Sequence, residues 1–331
     1  MIIKGNCQIA GIGAYFPEQV VTSKELMFEI NSEKNYGLSE SWLDDVCGIE
    51  KRRVARPDEL PSTLAIKAGE EALRTSGISP SEIDAVIFCG ISKEWIEPSI
   101  AHKVQYELGC TNAICFDVSN ACHGFMNGIM IADQFMQGSN ATHVLVVTGE
   151  VTTDITSHYI DKLKKNKADL KKEIGALTLG DGGAAMILTP KTDTRGFQFY
   201  NLYTNGKYAD LCKIGATKNG YNGQMVMGKI SSMMIRLHSA MIEKTYSYLN
   251  WSSLDVGRFI CHQVGKKPHI RMSSMANVSP EITPISYKDY GNIATVTIPF
   301  NIYNAKPEHG EKVLVGGAGS GMSISQSGII F

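Results

Sequence analysis

Short apolar runs recur along the chain, each bounded by polar or turn residues. They are "DAVIFCGIS" from Asp84, "THVLVVTGE" from Thr142, "AAMILTP" from Ala184, "GRFICHQ" from Gly257 and "KVLVGGA" from Lys312. Runs of this length and composition predict fully buried strands. Between them lie helical patterns. "PSTLAIKAGEEALRTSG" has Pro61 and Ser62 as start signals and Gly77 as a stop, and "SIAHKVQYELG" and "KISSMMIRLHSAMIEKTYSYL" follow the same periodicity. Strands alternating with helices predict an α/β protein with a largely parallel sheet.

The two halves echo each other. "DAVIFCGIS" resembles "VGRFICHQVG", "HVLVVTGE" resembles "KVLVGGAG", and "GDGGAAMILT" resembles "SQSGIIF". The repeat distance is too long for a solenoid and suits a duplicated α/β unit. The polar, proline-bearing stretch "TPKTDTR" from Thr189 to Arg195 breaks the pattern, giving halves of 1–188 and 189–331.

A chain of 331 residues, 43% of them hydrophobic, can bury a large core. Its formal charge of −1 gives no general reason to expect nucleic acid. No signal-peptide core and no membrane-spanning run is visible, so the expected location is the cytoplasm. The eight cysteines follow no metal-ligand rhythm, and most read as reduced, buried small hydrophobes. The Lys-rich segment "DKLKKNKADLKKE" reads as a short exposed helix. Lys162, Lys164, Lys165 and Lys167 there form either a solvated face or a dock for an acidic partner.

Neither glycine-rich stretch, "GIGAYF" at Gly11 or "GGAGSGM" at Gly316, has the context of a dinucleotide fingerprint. No phosphate-binding loop and no HExxH zinc motif is present, and no cofactor or metal is expected. "GDGGAAM" reads as a turn into a strand where backbones approach closely.

Cys122 is different. It stands in "DVSNACHGFMNGIMIADQFM", where a polar turn gives way to a helix apolar on most faces. A thiol at the amino end of a buried helix meets unpaired N–H groups and the positive end of the dipole, which favours thiolate. An inert buried cysteine is the competing reading, and the local pattern leaves the two even. A nucleophile also needs a base and an oxyanion site. His262 ends the strand "RFICH", and Asn292 in "YGNIATV" stands just ahead of an expected strand.

These segments resemble the ketosynthase III branch of the thiolase superfamily. That family's nucleophile segment, its "HQ" after a buried strand and its "YGN" loop match "DVSNACHG", "CHQVG" and "YGNIATVTIP" here. The resemblance also takes in "SWLDDVCGIEKRRVA", "GDGGAAM" and "GAGSGM". It implies a five-layered α-β-α-β-α fold of two similar halves and a homodimer. It implies a Claisen condensation in which Cys122 takes an acyl chain from a thioester. His262 and Asn292 then hold a second thioester while its carbanion attacks. The N–H groups of Cys122 and Ser320 would make the oxyanion hole, and Trp42 would stack on the adenine of coenzyme A.

The departures bear on subtype. Val46 replaces an arginine of chain-initiating relatives, and Ala318 stands where they carry phenylalanine. Head-to-head chain-joining enzymes of olefin synthesis carry "LEP" before the nucleophile, and "EWIEPSIAH" puts Glu97 there. The resemblance implies that Glu97 reaches a partner subunit's site as the base removing an α-proton, where a buried carboxylate is expected. As structure, Glu97 reads as an ordinary helix-start acid. Ketosynthases making α-pyrones or resorcinols, with a β-keto second chain, fit the same pattern. Lys266 and Lys267 beside His262 suit acyl-CoA or an acidic acyl carrier protein. The alternatives are a decarboxylating starter ketosynthase using malonyl thioester and an acyltransferase to oxygen or nitrogen. A non-catalytic partner subunit is disfavoured because the triad is complete. His123, next to the nucleophile, has no role from sequence.

Overall fold

The computed structural model describes residues 1–165 and 169–331, so Lys167 lies outside the described residues. Two five-stranded sheets organise the chain. In the first, the strands run in the order Cys7–Tyr15, Gly182–Pro190, Val144–Glu150, Ala85–Cys89, Ile114–Val118. In the second the order is Ile2–Lys4, Gly196–Thr204, Ser323–Ile330, Lys312–Gly319, Arg258–Cys261.

Three hydrophobic clusters set the layers. Between the sheets lie the helices Gly124–Gly138 and Thr297–Ala305, with Phe125, Met126, Ile129, Ile298 and Ile302 packed on Ile87, Val146, Ile260, Val313 and Val315. Each such fully buried aliphatic or aromatic side chain contributes about 1.5–3 kcal/mol. Helices Pro61–Ser76 and Ile100–Glu107 cover the outer face of the first sheet. Helices Met227–Leu249 and Lys266–Met275 cover the second. The stack is α-β-α-β-α.

The chain passes from the first sheet to the second between Pro190 and Gly196, but the first strand, Ile2–Lys4, pairs with Gly196–Thr204 across the sequence. Three expectations need correction. Both sheets are mixed rather than largely parallel: Ala85–Cys89 has parallel neighbours on both sides, while the Gly182–Pro190 and Ser323–Ile330 strands pair antiparallel. The turn Ser320–Met322 is too short for a crossover, so the strands it joins must run antiparallel. The segment after Asn292 is no strand. It forms a short turn, Ala294–Val296, and then the buried helix Thr297–Ala305. Nor are the lysines one short helix: Lys162 and Lys164 end the helix Thr153–Lys164, and Leu170–Glu173 forms another.

Close backbone approach explains the glycines of "GDGG". A Cβ on Gly180 would lie 2.1 Å from the Tyr290 carbonyl oxygen, and one on Gly183 would lie 2.3 Å from that of Leu64. No helix is long and apolar enough to cross a membrane, a statement that covers the described residues.

Candidate active site

Cys122 leaves the strand Ile114–Val118 through a tight elbow and stands two residues before the helix Gly124–Gly138. The elbow is strained: Ala121 adopts φ +47°, a left-handed conformation that alanine rarely takes. His262 follows the strand Arg258–Cys261, its N–H bonded to the Gly316 carbonyl. Asn292 is fixed by its own N–H to Thr178 O (2.8 Å) and its carbonyl to Gly180 N.

All three side chains line one cavity of about 700 Å³. Its remaining wall is largely apolar and includes Ile155, Ile214, Met225, Ile230 and Met234. Ala318 and Ser320 line it as well.

Burial sets the proton states. The Cys122 thiol is pushed well above the ordinary thiol value by desolvation first and by the nearby Cys212 and Glu150 second. This corrects the expectation of a resting thiolate: burial disfavours the charged form. Desolvation pulls His262 down to about 4, with the His123 ring adding to the effect, so its imidazole is neutral at pH 7. The Asn292 oxygen accepts the Ala294 N–H (3.1 Å), which leaves its NH₂ as a donor.

The other expected residues fall outside the cavity wall. Trp42 opens the helix Trp42–Cys47 and packs with Leu43 and Leu177. Lys266 and Lys267 are exposed at the start of Lys266–Met275, two residues or more beyond the cavity-lining Val264. Gly48, capping the helix that Trp42 opens, abuts the Lys266 side chain. Glu97 is exposed in the loop before Ile100–Glu107, so the expectation of a buried carboxylate does not hold within the single chain. Among the supposed docking lysines, Lys162 pairs with Glu173 (3.0 Å) and Lys164 with Glu29 (3.8 Å).

Three residues escaped the sequence reading. Glu150 is fully buried and accepts hydrogen bonds from Ile91 N (3.1 Å), Ser92 N (3.1 Å), Ser92 Oγ (3.0 Å) and Thr295 Oγ1. It ties the base of the Glu97 loop to the segment carrying Asn292. Glu94, almost buried, lines the cavity and accepts the Ser62 N–H at a helix start. Cys212, on the hairpin strand Cys212–Thr217, reaches the cavity and lines it together with Ser320. The acid closing "VVTGE" left a trace in sequence. Glu94 stands in the "EWIEP" stretch read for Glu97, and Cys212 lies in a segment that carried no motif.

The sequence model for 3-oxoacyl-[acyl-carrier-protein] synthase III matches residues 116–206, and that for its C-terminal part matches 247–329. The chain belongs to the ketosynthase III family. This ketosynthase is 29% identical to β-ketoacyl-[acyl-carrier-protein] synthase III of Ehrlichia canis, over 90% of the chain and 89% of the relative. With that of Listeria monocytogenes it is 28% identical over 96% of both. Among solved structures, OleA of Xanthomonas campestris superimposes with a TM-score of 0.92 at 24% identity, covering 100% of both chains. A Cys-to-Ser variant of OleA with bound lauric acid and lauroyl-CoA gives 0.91. The fold is thiolase-like, and the ketosynthase is an acyl-condensing transferase of the synthase III kind.

Proposed function

We propose that this enzyme joins two long acyl chains without decarboxylation. The observation that carries the reading is the shared apolar cavity, in which Cys122, a neutral His262 and the Asn292 amide meet beside Ala318. In the first half-reaction Cys122 Sγ attacks the acyl carbonyl, the new S–C bond replaces the bond to coenzyme A, and the thiol proton leaves with the departing thiolate. The N–H groups of Cys122 and Ser320 would hold the oxyanion. In the second, an α-proton leaves the second thioester and its enolate oxygen takes hydrogen bonds from His262 Nε2–H and Asn292 NH₂. The α-carbon then attacks the acyl carbon, the S–C bond to Cys122 breaks, and the departing thiolate recovers a proton in place of the one taken from the α-carbon. Neutral donors suit an enolate because they stabilise its charge without pairing a permanent cation in the resting site.

Removing the α-proton needs a base, and Glu97 is our candidate, supplied by a second copy. Strand Ile114–Val118 is an edge of its sheet, with Ile114 half exposed. The loop of Glu97 is pinned to that edge: Asp117 takes Lys93 Nζ at 2.5 Å and the N–H groups of Ile100 and Ala101 at 3.1 Å. At the tip, Ile96 is completely exposed beside Glu97. A homodimer pairing this edge would cover Ile96 and carry Glu97 toward the neighbouring cavity. The lauroyl-CoA bound by the OleA variant supports a long-chain acyl-CoA as substrate. Trp42, Lys266 and Lys267 would meet the nucleotide end of coenzyme A or an acidic carrier protein.

No cofactor beyond the thioesters takes part, and the eight free cysteines suit the cytoplasm. The halves 1–188 and 189–331 would contribute the nucleophile and the two donors respectively. The alternative is a decarboxylating starter ketosynthase that takes malonyl thioester as its second substrate. Product analysis with and without malonyl-CoA separates the two, because only the alternative releases carbon dioxide.

A further inference from the structure

His123 follows the nucleophile directly, and its ring turns away from the cavity wall into the interior, where it is 1% exposed. Its Nδ1 lies 2.9 Å from Asn127 Oδ1, and its Nε2 lies 2.8 Å from Ser325 Oγ. Asn127 Oδ1 also accepts the Asn120 side-chain amide at 2.7 Å. An amide oxygen cannot donate, so His123 Nδ1 carries the proton, and Nε2 accepts from the Ser325 hydroxyl. Both nitrogens of a neutral ring are then used. Desolvation by burial lowers the pKa of His123, in keeping with that form.

The network spans both halves of the fold. Asn120 and His123 flank the elbow that carries Cys122, and both are tied to Asn127 one helical turn on. Ser325 belongs to the strand Ser323–Ile330, which is joined through the turn at Ser320 to Lys312–Gly319. The glycines there fit the ring. A Cβ on Gly317 would lie 2.5 Å from Ser325 Oγ and 3.1 Å from the His123 ring, and one on Gly319 would lie 2.8 Å from His123 N. Gly319 thus brings Ser320 against the backbone that follows Cys122.

We propose that the Ser325–His123–Asn127 chain is a clamp that sets the Cys122 elbow against the Gly319–Ser320 turn. The clamp fixes the spacing of the two backbone N–H groups that receive the acyl oxyanion. His123 and Ser325 are therefore positioning residues, acting through Cys122 and Ser320 without touching substrate. This rests on the proposed acylation of Cys122. Misplacing such donors by a fraction of an ångström costs rate while leaving binding of the acyl chain, made elsewhere in the cavity, in place.

The test is the single-turnover acylation of Cys122 by lauroyl-CoA, followed by intact mass, in the full-length protein and in Ser325→Ala, His123→Ala, His123→Gln and the double alanine variant. Ser325→Ala removes one hydroxyl and is the variant least able to disturb folding. The expected result is a saturating rate about tenfold or more below the parent for either alanine variant, with the half-saturating concentration little changed. The double variant should be no slower than the worse single one, and His123→Gln should recover part of the rate. Rates within twofold of the parent, or additive losses in the double variant, overturn the clamp. If the parent is not acylated, the proposed function falls and the clamp with it. Acylation of the parent with unaffected variants refutes the clamp alone.

Discussion

Asn292 Oδ1 accepts the Ala294 N–H at 3.1 Å, so the amide nitrogen is the end left for the cavity. The bond is held by an unusual backbone, since Ala294 adopts φ +46°. Asn292→Asp keeps the shape and the acceptor but replaces the donor with a carboxylate oxygen facing an enolate. Condensation should fall by about 10²-fold or more, while acylation of Cys122 survives. Separate assays of acyl-enzyme and product check it.

A resting thiol, rather than a thiolate, changes what alkylation should show. Because burial raises the Cys122 pKa, iodoacetamide at pH 7.5 should modify it about tenfold or more slowly than free cysteine. The rate should climb as pH passes the ordinary thiol range. Peptide mapping after timed alkylation gives both rates, and faster labelling than the free amino acid would restore the thiolate.

Acid should unfold the protein through its buried histidines. Desolvation lowers His238 to about 3, and His262 and His269 to about 4, against about 6.5 in an unfolded chain. Below pH 6.5 the unfolded chain takes up protons that the folded one refuses, so stability present above that value is lost as pH falls toward 4. His269 suits a test because neither ring nitrogen has a hydrogen-bond partner among the described residues and the ring lies against Tyr287. His269→Phe should reduce the stability lost between pH 7.5 and pH 5 by about 2 kcal/mol. Urea melts at the two pH values measure that difference, and an unchanged loss would contradict the assignment.

Ala318 is buried in the cavity wall. Ala318→Phe should leave acylation by short thioesters but remove condensation of two long chains, at a stability cost of about 1–3 kcal/mol from overpacking. Chain-length profiles of the variant and the parent check it.

Much of this was legible along the chain. Pro61 and Gly77 bound a helix that runs Pro61–Ser76, and the apolar strand runs appear where their composition put them. "ATVTIPF" misled because β-branched residues in an apolar run fit a strand, yet this segment is buried on every side between two sheets and closes its hydrogen bonds internally as a helix. The triad was legible as three motifs in order, whereas their meeting in one cavity was not. The roles of Glu150 and Cys212 arise only where distant segments meet, so the acid closing "VVTGE" was visible without its partners and Cys212 was not singled out. The helix-terminus argument for Cys122 failed for a related reason: desolvation depends on the whole cavity, which no local pattern encodes.

The most direct measurement is mass spectrometry of products from the purified protein given a long-chain acyl-CoA alone, with Glu97→Gln in parallel. Joining without decarboxylation predicts a two-chain β-keto product and no carbon dioxide. In Glu97→Gln the acyl group should remain on Cys122 with that product lost. Product formed only when malonyl-CoA is added, with carbon dioxide released, would contradict it.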